Sequence, residues 1–97
     1  MATVLTPFND VTTAITRSFD VNVDKGLSGI FQASNTDSGT ATVTLKGRVS
    51  ADHTYVDVKV LSITGAENQK ASVVTLFPDM SITTAGSSIN VTASILH

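Results

Sequence analysis

The stretch Asp-Val-Asn-Val-Asp-Lys-Gly at residues 20–26 sets three oxygen-bearing side chains, Asp20, Asn22 and Asp24, at alternate positions ahead of a glycine. This is how a calcium loop begins. Oxygens at the first, third and fifth positions share the cation, glycine at the sixth makes the turn, and a glutamate at the twelfth closes the shell. Counted from Asp20, the sixth residue is Lys25 and the twelfth is Phe31. Both the turn and the closing ligand are therefore missing. Phe19, Val21 and Val23 alternate with Asp20, Asn22 and Asp24, so a strand with a wetted polar face accounts for the same letters, and its turn begins at Lys25 and Gly26. No metal site is expected here.

Nucleophilic and acid–base chemistry find no better footing. Gly26-Leu27-Ser28-Gly29 lacks the Gly-x-Ser-x-Gly spacing and the strand-to-helix setting of a nucleophile elbow. His53 follows Asp52 and precedes Tyr55 by two positions, a grouping that can move protons. It sits in a polar turn, however, where Asp and exposed His occur for backbone reasons. The only other histidine is His97, and there is no cysteine, so the three or four convergent ligands of a zinc site are lacking. The expectation is a non-enzymatic chain with no catalytic, cofactor-binding or metal-binding residues.

The elements that would have to carry any site are strands. Fifteen Thr, twelve Val and six Ile make up a third of the 97 residues, and β-branched side chains suit a pleated surface. In residues 40–50, Ala41, Val43, Leu45 and Val49 alternate with Thr42, Thr44, Lys46 and Arg48, the period of a half-buried strand. Gly47 falls on the inward side, which predicts a bulge or a close neighbour. After a polar turn at 50–54, Val56, Val58 and Val60 point inward with Asp57 and Lys59 outward, completing a long hairpin. Residues 71–77 form another strand ending before Pro78. Residues 80–84 and 89–95 form a terminal strand pair, with Ile89, Val91, Ala93 and Ile95 on one face. Residues 11–23 and 27–34 supply two or three more strands, and 65–71 read as a loop. The fold class is all-β: a single β-sandwich, jelly-roll or Ig-like, of about seven to eight antiparallel strands over residues 1–97. Phe8, Phe19, Phe31 and Phe77 are read chiefly as core plugs. With no Trp and one Tyr, a stacking platform for sugars is thinly supplied.

Charge points toward assembly. Charged residues are 14% of the chain with a net charge of -2, against about 25% in ordinary soluble domains. Contact surfaces are depleted in Lys, Glu and Asp, and so small a core gains from oligomerisation. Long uncharged strand edges need covering or blunting. Pro78, Lys46, Lys59 and Lys70 are the candidates for blunting, and a homo-oligomer would cover more. Six scattered Lys and Arg form no nucleic-acid footprint. No apolar run has the length of a membrane helix, and residues 1–11 lack the pattern of a secretory signal. Synthesis in a cytoplasm is expected, and Asn90-Val91-Thr92 is then strand sequence rather than a glycosylation site.

Residues 38–60 and 77–96 resemble the small all-β virion proteins of tailed bacteriophages, in which a Gly-Thr-Ala-Thr-Val strand passes through an Asp-containing turn into an aromatic-Val-x-Val strand. The matching positions are Gly39, Thr40, Ala41, Thr42, Val43, Asp52, Tyr55, Val56 and Val58. His53 stands where a turn glycine is common, and Tyr55 where Trp is more typical. The resemblance implies a capsid decoration (cement) protein, often trimeric and without enzymatic activity, located in the virion. Its partner would be the major capsid protein, with residues 1–10 as an extended arm that clamps a neighbour's sheet edge. A fibre or adhesion module that binds a glycan or receptor is the alternative.

Overall fold

Eight strands absorb the β-branched composition. In the computed structural model, which describes residues 4–97 and only the backbone of 69–74, they are β1 (Val4–Val11), β2 (Thr16–Asp20), β3 (Ser28–Asn35), β4 (Thr40–Arg48), β5 (Val56–Thr64), β6 (Glu67–Thr75), β7 (Asp79–Ala85) and β8 (Val91–Leu96). They form two four-stranded antiparallel sheets, ordered β1-β8-β3-β6 and β2-β7-β4-β5. The sheets enclose one core, in which Phe8, Phe31, Leu45, Ile63, Ile82 and Ile95 are among the fully buried side chains. Phe19 and Phe77 pack against its margin. The chain is a single β-sandwich.

The strand pairing is nested. β4 and β5 make the central hairpin, and β3 with β6, β2 with β7 and β1 with β8 close around it in turn, alternating between the two sheets. This order is that of a jelly roll. It decides between the two expected sandwich types, because an immunoglobulin sandwich divides its strands differently.

Four sequence expectations change. The two strands after Pro78 do not pair with each other: β7 lies between β2 and β4, while β8 lies between β1 and β3 in the opposite sheet. The turn at Gly86 is thus a crossover between layers. In β5, pairing skips a residue between Lys59 and Asp57, opposite Leu45 and Lys46. Beyond the bulge the alternation is inverted, so Leu61 and Ile63 are buried and Val60, opposite Thr44, is exposed. The skipped Val58 packs against the core margin, while Val56, opposite the inward Gly47, and Val49 are exposed at the end of the sandwich. Third, β2 stops at Asp20, and Val23–Lys25 is a 3-10 turn in place of a continued strand. Fourth, residues 67–71, read as loop, begin β6. The stretch read as a terminal arm also has a definite place from residue 4 onward: β1 pairs with β8 and buries Phe8. Residues 1–3 lie outside the described part of the chain.

Several sheet edges are blunted. β1 carries Pro7 and two register shifts. Arg17 on the short β2 pairs with the buried Ile82, which gives it the parity of the core face. Its guanidinium reaches across the sandwich to donate to the Pro7 carbonyl at 2.9 Å and lies 5.5 Å from the Phe8 ring centre. At the opposite edge, Lys59 of β5 pairs with Leu45 and shares that inward parity. Inward-directed charges on edge strands discourage edge-to-edge pairing. The Lys70 side chain lies outside the described part.

The two ends of the sandwich differ. At the end holding the β3–β4 and β7–β8 connections, the buried Asn35 carboxamide gathers three loops. Its nitrogen donates toward the carbonyls of Asp37, Gly39 and Gly65 at 3.2, 2.9 and 3.1 Å. Its oxygen accepts from the amides of Asp37 and Asn90 at 3.3 and 2.9 Å. Gly39 is obligatory there, since a Cβ would stand 1.9 Å from the Ser87 carbonyl oxygen.

Candidate functional site

The opposite end of the sandwich gathers exposed aliphatic side chains beside charged ones, among them Asp20, Asp24, Lys25, Arg48, Asp52 and Asp79. Seven large aliphatic side chains are exposed among the described residues: Val4, Leu27, Ile30, Val49, Val56, Val60 and Leu96. All but Val60 lie where β1, β3 and β5 begin and β4, β6 and β8 finish. Exposure reaches 66% at Val49 and 54% at Val56. Five of them form two groups, Val49 with Val56 at one sheet and Val4, Ile30 and Leu96 at the other, and grouped aliphatic side chains mark interaction sites where scattered ones do not.

A cleft of about 330 Å³ opens at this end, lined by Gly47, Arg48, Val49, His53, Thr54, Val56 and Phe77. Its floor depends on a glycine. The Phe77 ring lies so close to β4 that a Cβ on Gly47 would be 2.3 Å from Cδ1. The expected close neighbour of Gly47 is Phe77, and the bulge lies on the partner strand β5, at Val58 opposite Leu45 and Lys46.

Behind the cleft, strand register brings together three polar side chains. Arg48 of β4 stands opposite Asp79 of β7. Arg48 Nε donates to Asp79 Oδ2 at 2.7 Å, and the Tyr55 hydroxyl donates to Oδ1 at 2.6 Å. Arg48 Nη1 donates to the His53 carbonyl at 3.1 Å, and its guanidinium lies 4.3 Å from the Tyr55 ring centre. The Tyr55 hydrogen bond, followed by that of Arg48, holds the Asp79 carboxyl below its ordinary value. The hydrogen bond to Asp79 in turn raises the Tyr55 phenol and the Arg48 guanidinium. A carboxylate with both oxygens engaged and a phenol held neutral supply fixed charge and direction rather than proton transfer at neutral pH.

The residues singled out in the sequence are dispersed. His53 lines the cleft, in a turn where its amide donates to the Ser50 carbonyl at 3.2 Å and the Asp52 amide donates to Ser50 Oγ at 3.3 Å. Tyr55 turns away from this pair to Asp79. His97 belongs to the other sheet, its Nε2 lying 2.8 Å from the Gly26 carbonyl oxygen. In the calcium-like stretch, Asn22 Oδ1 caps the 3-10 turn by accepting from the Asp24 amide at 3.1 Å. No group of three or more His, Cys, Asp or Glu converges on a metal position among the described residues. The Arg48–Asp79 pair escaped the sequence because its partners come from strands 31 residues apart. Local periodicity shows only that Arg48 faces outward.

No family model matches the chain, and no curated protein matches it.

Proposed function

We propose that this chain is a non-enzymatic structural protein of a bacteriophage virion, a capsid decoration protein that works as a homo-oligomer and seats the end carrying Val49 and Val56 on the major capsid protein. The observation that carries the reading is the exposure of Val49 and Val56 at the mouth of the cleft, with further exposed aliphatic side chains at the same end. Such an end becomes a stable surface when a partner covers it. The jelly-roll order supports the reading by analogy, since viral capsid and lectin domains share it. The stiff Arg48–Asp79–Tyr55 brace holds the cleft walls in place, as a pre-organised contact requires.

The cleft itself favours a second reading, an adhesion module whose Phe77, His53 and Thr54 contact a glycan. Co-sedimentation with purified capsids of the parent phage separates the two. Saturable binding that Val49→Asp and Val56→Asp remove supports decoration. Glycan-array binding lost in the same variants, with no capsid binding, overturns it.

A further inference from the structure

In the loop between β3 and β4, the peptide unit joining Asp37 to Ser38 is held at both of its polar atoms. Its carbonyl accepts from Asn35 Nδ2 at 3.2 Å, and its amide, that of Ser38, donates to Oδ1 of the Asp37 side chain at 2.7 Å. The Asp37 amide donates to Asn35 Oδ1 at 3.3 Å, so the residue is fixed before and after its Cα. The carboxyl carbon of Asp37 therefore stands one C–O bond beyond the oxygen that the Ser38 nitrogen touches. These two atoms are the ends of a five-membered ring waiting to close, and holding reacting atoms together removes much of the barrier to closure. Asn35 adds a second effect. A carbonyl that accepts a hydrogen bond draws electrons from its own amide, which makes the Ser38 N–H proton easier to lose. Of the seven aspartates, six precede Val, Lys, His or Met, and Asp37 alone precedes a small residue, so no branched or long side chain shields the nitrogen. Asp37 and Ser38 are both exposed and open to water.

We propose that Asp37 is a site of covalent self-modification, in which the Ser38 nitrogen closes on the Asp37 carboxyl to a cyclic imide that water reopens as an isoaspartyl linkage. The carboxyl reacts in its acid form. A bond forms from the Ser38 nitrogen to Cγ and the bond from Cγ to Oδ1 breaks. Oδ1 leaves as water with the amide proton and the acid proton, while Oδ2 stays as an imide carbonyl. Water then adds to the main-chain carbonyl carbon of Asp37, and the bond from that carbon to the Ser38 nitrogen breaks. The chain now runs through Cγ, the former main-chain carbon ends as a free carboxyl group, and the overall mass is unchanged. The new linkage lengthens the backbone by one methylene between two anchored points. One is the Asn35 carboxamide. The other is Gly39, whose amide donates to the Ser88 carbonyl at 2.8 Å and which has no room for a Cβ beside Ser87. The end of the sandwich tied by Asn35 thus loosens as the protein ages, independently of what the other end binds.

The test compares the full chain folded and the full chain unfolded in guanidinium chloride, both kept warm in the same mildly acidic buffer, which populates carboxylic acids. Peptides from timed samples are read by mass spectrometry for the imide, as the loss of one water, and by labelling with an isoaspartyl methyltransferase for the reopened product. The unfolded chain has the same sequence, so it reports what an Asp-Ser pair does without the fold. Isoaspartate should form at residue 37 and at no other aspartate, on the order of tenfold faster in the folded chain, because only there are the reacting atoms held together. Ser38→Val, at an exposed position, should leave thermal unfolding of the fresh protein intact and slow the reaction several-fold. Equal or slower formation in the folded chain overturns the proposal. So does modification spread over the other aspartates, or a Ser38→Val protein that reacts at the wild-type rate. Aged protein enriched in the linkage should melt below fresh protein, and coincident melting curves overturn the loosening.

Discussion

Arg48 and Asp79 face each other across β4 and β7 with Nε 2.7 Å from Oδ2, and the single tyrosine of the chain, Tyr55, closes the other carboxylate oxygen. The group is only partly covered from solvent, so screening keeps its contribution to stability small. What it determines is geometry at the cleft and a definite pH signature.

That signature has two limbs. The folded carboxyl of Asp79 titrates below its unfolded value, so its contribution is present above about pH 3.9 and fades as the pH falls through the folded value. The phenol of Tyr55 titrates above its unfolded value, so its contribution is present below about pH 10 and fades as the pH rises through the folded value. Phenolate absorbance should show Tyr55 ionising later than a free tyrosine, and Asp79→Asn should bring that midpoint back down. Melting curves should show the wild type and Asp79→Asn converging below about pH 4.

Replacing Asn35 by Ala should destabilise the domain by at least about 1–3 kcal/mol, because the Asp37 and Asn90 amides lose a buried acceptor and three carbonyls lose a donor. Asn35→Asp should be no better. A carboxylate would face the Asp37, Gly39 and Gly65 carbonyls with nothing to donate. Urea denaturation followed by circular dichroism measures both variants.

Gly47→Ala tests the floor of the cleft. Overpacking against Phe77 should cost about 1–3 kcal/mol and move the ring. Combining it with Phe77→Ala should recover part of the loss from Gly47→Ala, as expected of two side chains in direct contact. A double-mutant cycle from denaturant midpoints gives the coupling.

Lys59→Val removes an inward-directed charge from the β5 edge. Aggregation on heating should start earlier while the unfolding midpoint stays close to that of the wild type, because the exposed lysine acts against edge pairing more than for the fold. Turbidity and calorimetry read on the same sample separate these effects.

Much of this protein was legible along the chain. Ala41, Val43 and Leu45, and again Ile89, Val91, Ala93 and Ile95, are buried where their alternation places them, because the two-residue period of a strand is a local property of the backbone. The lack of cysteine, the scarcity of charge and the all-β class were likewise readable from composition. Tertiary structure decided what depends on a partner strand. The bulge opposite Leu45 and Lys46 turns Val60 outward and Leu61 and Ile63 inward, although the letters of Val56, Val58 and Val60 alternate correctly. The crossover at Gly86 sends β7 and β8 to different sheets, where a turn between two strands had suggested a hairpin. The Arg48–Asp79 brace and the cleft in front of it exist only once nested pairing has joined strands far apart in sequence. Side-chain alternation is set within a few residues, whereas register and sheet order are set by which distant strand supplies the hydrogen-bonding edge.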